Sequence, residues 1–235
     1  MKETTYGLIG RGRVATHMAR FLELEGLPCF AWHRGKSRSP EDVLHGADVC
    51  LLAISDDQIE TFVDEHPKLG GRPMVHFSGS LVLDRVSGLH PLMTFGLELY
   101  DLETYRSIPF VEERGGLGFG DVFPTLTNPC WPLDPELKPL YHALCVLGGN
   151  FTTLLWARAF DAFERQLGLP KEALVPFLER TAANTIVSGR GALTWSLARG
   201  DLGTARRDLH AMEGDPYEHV FRAFTELFDL EEVKR

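Results

Sequence analysis

The sequence predicts an α/β protein: a doubly wound parallel sheet in the first half and an all-α second half. Three observations carry this. Short apolar runs alternate with amphipathic stretches from residue 6 to about residue 111, a rhythm of strand, crossover and strand. A glycine-rich turn joins the first run to the first amphipathic stretch. Beyond a stretch crowded with Gly and Pro at 114–135, which reads as a linker or an ordered long loop, no segment has strand character. The domain boundary is accordingly placed at residue 130, giving domains of 1–130 and 131–235.

Taken in order, 6–9 is the first strand. A helix follows, with Val14, Met18, Phe21 and Leu22 on one face and Gly26 as its stop. Residues 29–32 form a second short strand. The uninterrupted apolar run 49–54 suits a strand buried on both faces of a parallel sheet. Asp56 and Asp57 cap a helix over 58–65, and strands are expected at 74–77 and 108–111. In the second half, Asp134-Pro135 starts a helix that runs to Gln166 and bends near Gly148-Gly149. Three more helices are expected at about 171–187, 202–212 and 216–232.

Composition narrows the class. The chain has 235 residues, of which 44% are hydrophobic, enough for a packed core. Its formal net charge of −9 argues against general affinity for nucleic acid or for an anionic membrane, since both are polyanions. The longest clean apolar run, 49–54, falls far short of a membrane span, and no signal-peptide pattern opens the chain. Cys29, Cys50, Cys130 and Cys145 show no metal-ligand spacing; three of them sit in apolar stretches and read as buried free thiols, so no metal is expected. A cytoplasmic protein is the resulting expectation.

Gly10-Arg11-Gly12-Arg13-Val14-Ala15 is a G-x-G-x-x-A string between the first strand and the first helix. The first glycine permits the tight turn, the second lets backbone approach a pyrophosphate, and the small third residue allows close helix–strand packing. The helix N-terminus offers its N–H groups to the anion. Together these predict a dinucleotide site. At the end of the second strand, an NAD-type site carries Asp or Glu for the ribose 2′-hydroxyl. Here His33-Arg34-Gly35-Lys36-Ser37-Arg38 stands instead, and no acid occurs between Glu25 and Glu41. Cations in this position suit a 2′-phosphate, so NADP(H) is favoured over NAD(H). Ile54, Ser55 and Asp56, after the third strand, complete the expected cofactor contacts.

Candidates for chemistry lie at other strand ends and in the helical half. Ser78 follows one strand, and His90 precedes a proline in an extended or turn segment. A histidine so placed has the pKa for general acid/base work. His142 and Asn150, eight residues apart, are about 12 Å apart along an unbroken helix, so they can line one cleft but not share one atom. Arg199 is a candidate clamp for a substrate carboxylate or a cover for a helix end.

The segments GLIGRGRVA, ADVCLLAISDDQI, VHFSGS, LHPLMTF, LYHALCVLGGNF and ALTWSLARGD occur in that order. Together they resemble oxidoreductases that join a Rossmann-like NADP-binding domain to a C-terminal helical domain of unknown function. These are similar in architecture to the 6-phosphogluconate-dehydrogenase-like group. The resemblance covers essentially the whole chain and implies a cleft between the domains and a homodimer through the helices. Ser-Gly followed by His-Pro also resembles prephenate-type dehydrogenases, which implies Ser78 and His90 at the reacting centre. Thr194-Trp195-Ser196 departs from the T-G-P that usually precedes the ARGD segment. The expected function is NADP(H)-dependent hydride transfer to or from a carbonyl or imine carbon of a small polar metabolite. A non-catalytic NADP(H)-binding redox sensor is the second reading.

Overall fold

A computed structural model describes residues 3–194 and 202–232. The sheet has seven strands in the order β2-β1-β3-β4-β5-β6-β7. They are β1 (Tyr6–Ile9), β2 (Cys29–Trp32), β3 (Val49–Leu52), β4 (Met74–His76), β5 (Ser87–Pro91), β6 (Phe110–Glu113) and β7 (Cys130–Leu133). The first five are parallel; β6 runs antiparallel to β5, and β7 parallel to β6. The chain reverses its direction of winding between β1 and β3, the point at which sheets of this kind bind ligands beyond their carboxyl ends.

The 2.0-residue period of a strand explains the apolar runs. Along β3, Val49 and Leu51 join one core with Tyr6, Leu8, Val75 and Phe110, while Cys50 and Leu52 join a second with Ile9 and Met74. α1 (Arg13–Leu24) covers the first core through Ala15, Met18, Phe21 and Leu22, as the 3.6-residue spacing predicts. α2 (Pro40–Leu44) and α3 (Ile59–Glu65) cover the second with Leu44, Ile59, Phe62 and Val63. α4 (Leu102–Ser107) adds Tyr105 to the first core.

The Gly- and Pro-rich stretch is ordered, which decides against the linker and goes beyond an ordered loop. It holds α5 (Phe119–Val122), whose Phe119 and Val122 are buried in the first core, and the edge strand β7. Pro132 is compatible with β7 because that strand lies at the end of the sheet, where a missing N–H is tolerated. The chain divides into compact units at Met1–Leu154 and Leu155–Arg235.

α6 (Lys138–Cys145) passes through a π-helical segment at Val146–Phe151 into α7 (Thr152–Arg165). The widened turn occupies the Gly148-Gly149 position where a bend was expected. The helical run Pro135–Arg165 is long and apolar enough to cross a membrane by length and composition alone. In the second unit follow α8 (Val175–Ser188), α9 (Leu202–Ala211) and α10 (Glu218–Glu232). A bidentate ion pair between Arg158 and Asp215 ties α7 to the turn before α10. All four cysteines are free, but only Cys50 is fully buried.

Candidate active site

A cavity of about 740 Å³ opens at the carboxyl ends of β1, β2 and β3. Its floor is the 10–14 turn. Gly10 has φ +134°, and a Cβ there would strike the carbonyl of Ala53, so only glycine fits. Ala15, buried in the first core, packs beneath that turn. Gly12 is the N-cap of α1, with no side-chain cap and no acid in the first turn. A Cβ at Gly12 would meet no protein atom. Its face is therefore open, and the first N–H groups of α1 are suited to an anion.

Arg11, Arg13, Val14, His33 and Arg34 line the cavity beside these glycines, and Ile54, Ser55 and Asp56 line its far side. Lys36 and Arg38 do not line it. The Lys36 ammonium bonds the Ala31 carbonyl, and Arg38 bonds the Asp42 carbonyl. Trp32, Phe62 and His66 form an aromatic wall, with His66 Nδ1 2.8 Å from Glu41. A dinucleotide phosphate fits this arrangement: open backbone donors, two arginines on the turn and a third at the β2 end.

The cavity ends at Phe77 and Ser78. The Ser78 hydroxyl donates to Asp56 (2.6 Å) and accepts from the backbone N–H groups of Ser80 (3.3 Å) and Leu81 (3.0 Å). Its hydrogen and both lone pairs are thus engaged in shaping the 78–81 loop. Next to it, Gly79 leaves room for two rings. A Cβ there would lie 2.7 Å from His142 Cδ2 and 3.1 Å from His90 Nε2.

His90, on β5, and His142, on α6, stand edge to face with ring centroids 6.3 Å apart. Nδ1 of His90 lies 2.7 Å from the Tyr141 hydroxyl. Burial lowers the His90 pKa to about 4, and the charges of His142 and Lys138 add to the effect. At neutral pH its ring is uncharged.

Behind these rings sits a buried polar cluster with no sequence signal. The Lys138 ammonium bonds both the Glu113 carboxylate and the Leu81 carbonyl, although both side chains are almost fully enclosed. Gly88 makes the space, because a Cβ there would collide with both partners. His76 accepts from the Ser78 N–H at Nδ1 (3.2 Å), leaving Nε2 4.0 Å from Glu113 without a hydrogen-bond partner. Burial lowers its pKa to about 4 as well. Lys138 and Glu113 belong to separate, ordinary-looking segments, so only their meeting reveals them.

The structure therefore brings Ser78, His90 and His142 together within the first unit. Asn150 lies exposed in the π-helical segment, and Arg199 falls outside the described residues. Among the described residues no His, Cys, Asp and Glu group is arranged to hold a metal ion.

No curated protein matches the sequence. The profile of a domain of unknown function, DUF2520, matches residues 119–227. Three solved structures illustrate the fold. A Bacteroides fragilis protein provisionally named an NADP oxidoreductase superposes with a TM-score of 0.75 at 20% identity, covering 96% of this chain and 98% of its own. An imine reductase from Streptomyces aurantiacus gives 0.66 at 16% identity, covering 96% and 93%. A reductive aminase from Aspergillus terreus, solved with NADPH and ethyl levulinate, gives 0.60 at 15% identity and spans both chains fully. These likenesses establish a Rossmann-like sheet followed by helices.

Proposed function

We propose that the chain is an NADP(H)-dependent oxidoreductase acting on a carbonyl or imine carbon of a small polar molecule. The observation that carries this is the uncapped N-terminus of α1 at Gly12, open onto a cavity lined by Arg11, Arg13, His33 and Arg34. The N-terminus of α1 with Arg11, Arg13 and His33 holds the phosphates, and Arg34 takes the 2′-phosphate with charge-assisted hydrogen bonds. Lys36 and Arg38, engaged with backbone carbonyls, contribute charge nearby. The solved likenesses named for NADP and for imine reduction support the same reading.

NADPH, when bound, supplies a hydride. The protein's part is to orient the acceptor and to handle the proton at its oxygen or nitrogen. Uncharged at neutral pH, His90 accepts the proton when an alcohol or amine is oxidised, and hydrogen-bonds the acceptor atom, with solvent supplying the proton, when a carbonyl or imine is reduced; His142 flanks it, and Asp56 with Ser78 fixes the loop that brings them together. Convergent polar groups at this end of the sheet favour an enzyme over a redox sensor. Asn150 completes the proposed set as a substrate contact. The test is NADPH oxidation with ethyl levulinate, alone and with a primary amine. His90→Ala should abolish turnover and leave NADPH affinity intact; unchanged turnover would exclude His90.

The same reading includes a cytoplasmic homodimer through the helices. Leu140, Leu144, Leu147 and Leu154 on the long helix are each about half exposed or more, and Ile186 and Val187 on α8 are 85% exposed. Apolar surface of this extent calls for cover. Sedimentation of the full chain in detergent-free buffer should give a dimer; a monomer, or a requirement for detergent, would overturn it.

A further inference from the structure

The loop from Ser78 to Leu81 carries Gly79 against the rings of His90 and His142. Asp56 and the Ser78 hydroxyl shape it from the cavity side. From the buried side it is held at both ends. At its start the Ser78 N–H donates to His76 Nδ1 (3.2 Å), and at its finish the Leu81 carbonyl accepts from the Lys138 ammonium (2.5 Å).

The first of these bonds has only one direction. A backbone N–H donates and cannot accept, so Nδ1 of His76 must offer its lone pair. Burial lowers the pKa of the ring to about 4, which leaves it uncharged at neutral pH. Its one hydrogen therefore sits on Nε2. That nitrogen is buried without a hydrogen-bond partner, 4.0 Å from Glu113 Oε1. The same carboxylate oxygen takes the Lys138 ammonium. Both ends of the loop thus lead back to one oxygen, through side chains from β4, β6 and α6.

The sheet makes the room for this meeting. His76 and Gly88 are paired in register across β4 and β5, and a Cβ at Gly88 would collide with Lys138 Nζ and Glu113 Oε1. His76, Glu113 and Lys138 are all more than nine-tenths buried. A buried ion pair adds little stability beyond that of apolar residues of the same volume. What apolar side chains could not supply here is a donor fixed beside the Leu81 carbonyl and an anion facing the Nε2–H of His76.

We propose that Glu113 is a positioning residue of the 78–81 loop: its carboxylate holds Lys138 on the Leu81 carbonyl and keeps the Nε2–H of His76 turned inward, so that Nδ1 stays on the Ser78 N–H. Without that charge the Nε2–H faces the Lys138 ammonium alone, the ammonium lacks its counterion, and both ends of the loop are released together. Glu113 does not line the cofactor cavity, so it acts only through the loop. That the loop serves catalysis rests on the assignment of His90 to the reacting centre, whereas the hold on the loop does not.

The experiment joins histidine nitrogen-15 NMR of the full chain, with His76→Gln assigning the signal, to amide hydrogen exchange. At pH 7.5, Nδ1 of His76 should resonate as a pyridine-type nitrogen and Nε2 as a pyrrole-type nitrogen. In Glu113→Gln the amides of Ser78 and Leu81 should exchange about 10- to 100-fold faster, as for a lost hydrogen bond to a charged group, with β1, β3 and NADPH affinity unchanged. A pyrrole-type Nδ1 in the wild type overturns the proposal. So does exchange at Ser78 and Leu81 that stays as in wild type, or that rises no more than in β1 and β3, the mark of a merely structural role. Should Glu113→Gln fail to fold, the double variant Glu113→Gln, Lys138→Met, which buries no charge, is held to the same outcomes. Turnover of ethyl levulinate by Glu113→Gln reports separately: a lower kcat supports the loop's part in catalysis, and normal turnover with a released loop sinks that assignment alone.

Discussion

Two regions at the same end of the sheet solve opposite problems. The 10–15 turn is a cradle made by leaving atoms out: Gly10 admits a backbone conformation and a close approach that no side chain allows, and Gly12 leaves the start of α1 bare. The cluster around Glu113, Lys138, His76 and His90 fills its space with polar groups and encloses them. In the cradle, backbone N–H groups are available to a ligand. In the cluster, Glu113 and Lys138 neutralise each other, and burial keeps both histidines uncharged. The comparison teaches that binding and reactivity draw on different resources here. One uses unsatisfied backbone at a helix end; the other uses side chains whose protonation the fold has set.

Substitutions that separate the regions sharpen this. The largest effect is expected for Gly88→Ala, whose Cβ would split the Glu113–Lys138 pair. Breaking a buried pair costs about 3–5 kcal/mol. Urea unfolding should show that loss while NADPH affinity of the folded fraction stays unchanged. Gly10→Ala should cost about 3 kcal/mol through backbone strain and overpacking. Unlike Gly88→Ala, it should also abolish NADPH binding, followed by fluorescence titration. If Gly10→Ala bound NADPH normally, the cradle would not be the phosphate site.

Within the cradle the arginines are unequal. Arg34→Glu should weaken NADPH binding about 10- to 100-fold, the equivalent of one charge-assisted contact, with NADH affected far less. Lys36→Ala should leave the preference for NADPH nearly unchanged, because its ammonium already serves Ala31. Paired calorimetric titrations with the two nucleotides check both. A further effect concerns pH. His76 and His90 have folded pKa values near 4, below the ordinary 6.5. Above 6.5 both states are neutral and the histidines do not bias folding. As pH falls through 6.5 toward 4, the unfolded chain takes up protons that the folded one resists, so stability drops. The urea midpoint should therefore be lower at pH 5 than at pH 7.5, and the difference should shrink in His90→Ala.

The sequence by itself determined the features with local physical causes. Strand period, helix period and the Gly-x-Gly turn depend on residues within one or two turns of each other, so β1 to β4, α1 and the cradle could be read directly. It also indicated which cations stand at the end of β2. It did not distinguish Arg34, which lines the cavity, from Lys36 and Arg38, whose partners are carbonyls brought near by the fold of that loop. Composition misled at 114–135, where burial of Phe119 and Val122 and pairing of β7 with β6 override the turn-forming residues. Tertiary structure alone decided the cluster. Glu113, Lys138, His76 and Tyr141 lie on two strands and a helix, and a charged residue in an isolated segment carries no mark of the partner that will let it be buried. That partner is chosen by packing across long stretches of chain, and with it the protonation state on which the chemistry depends.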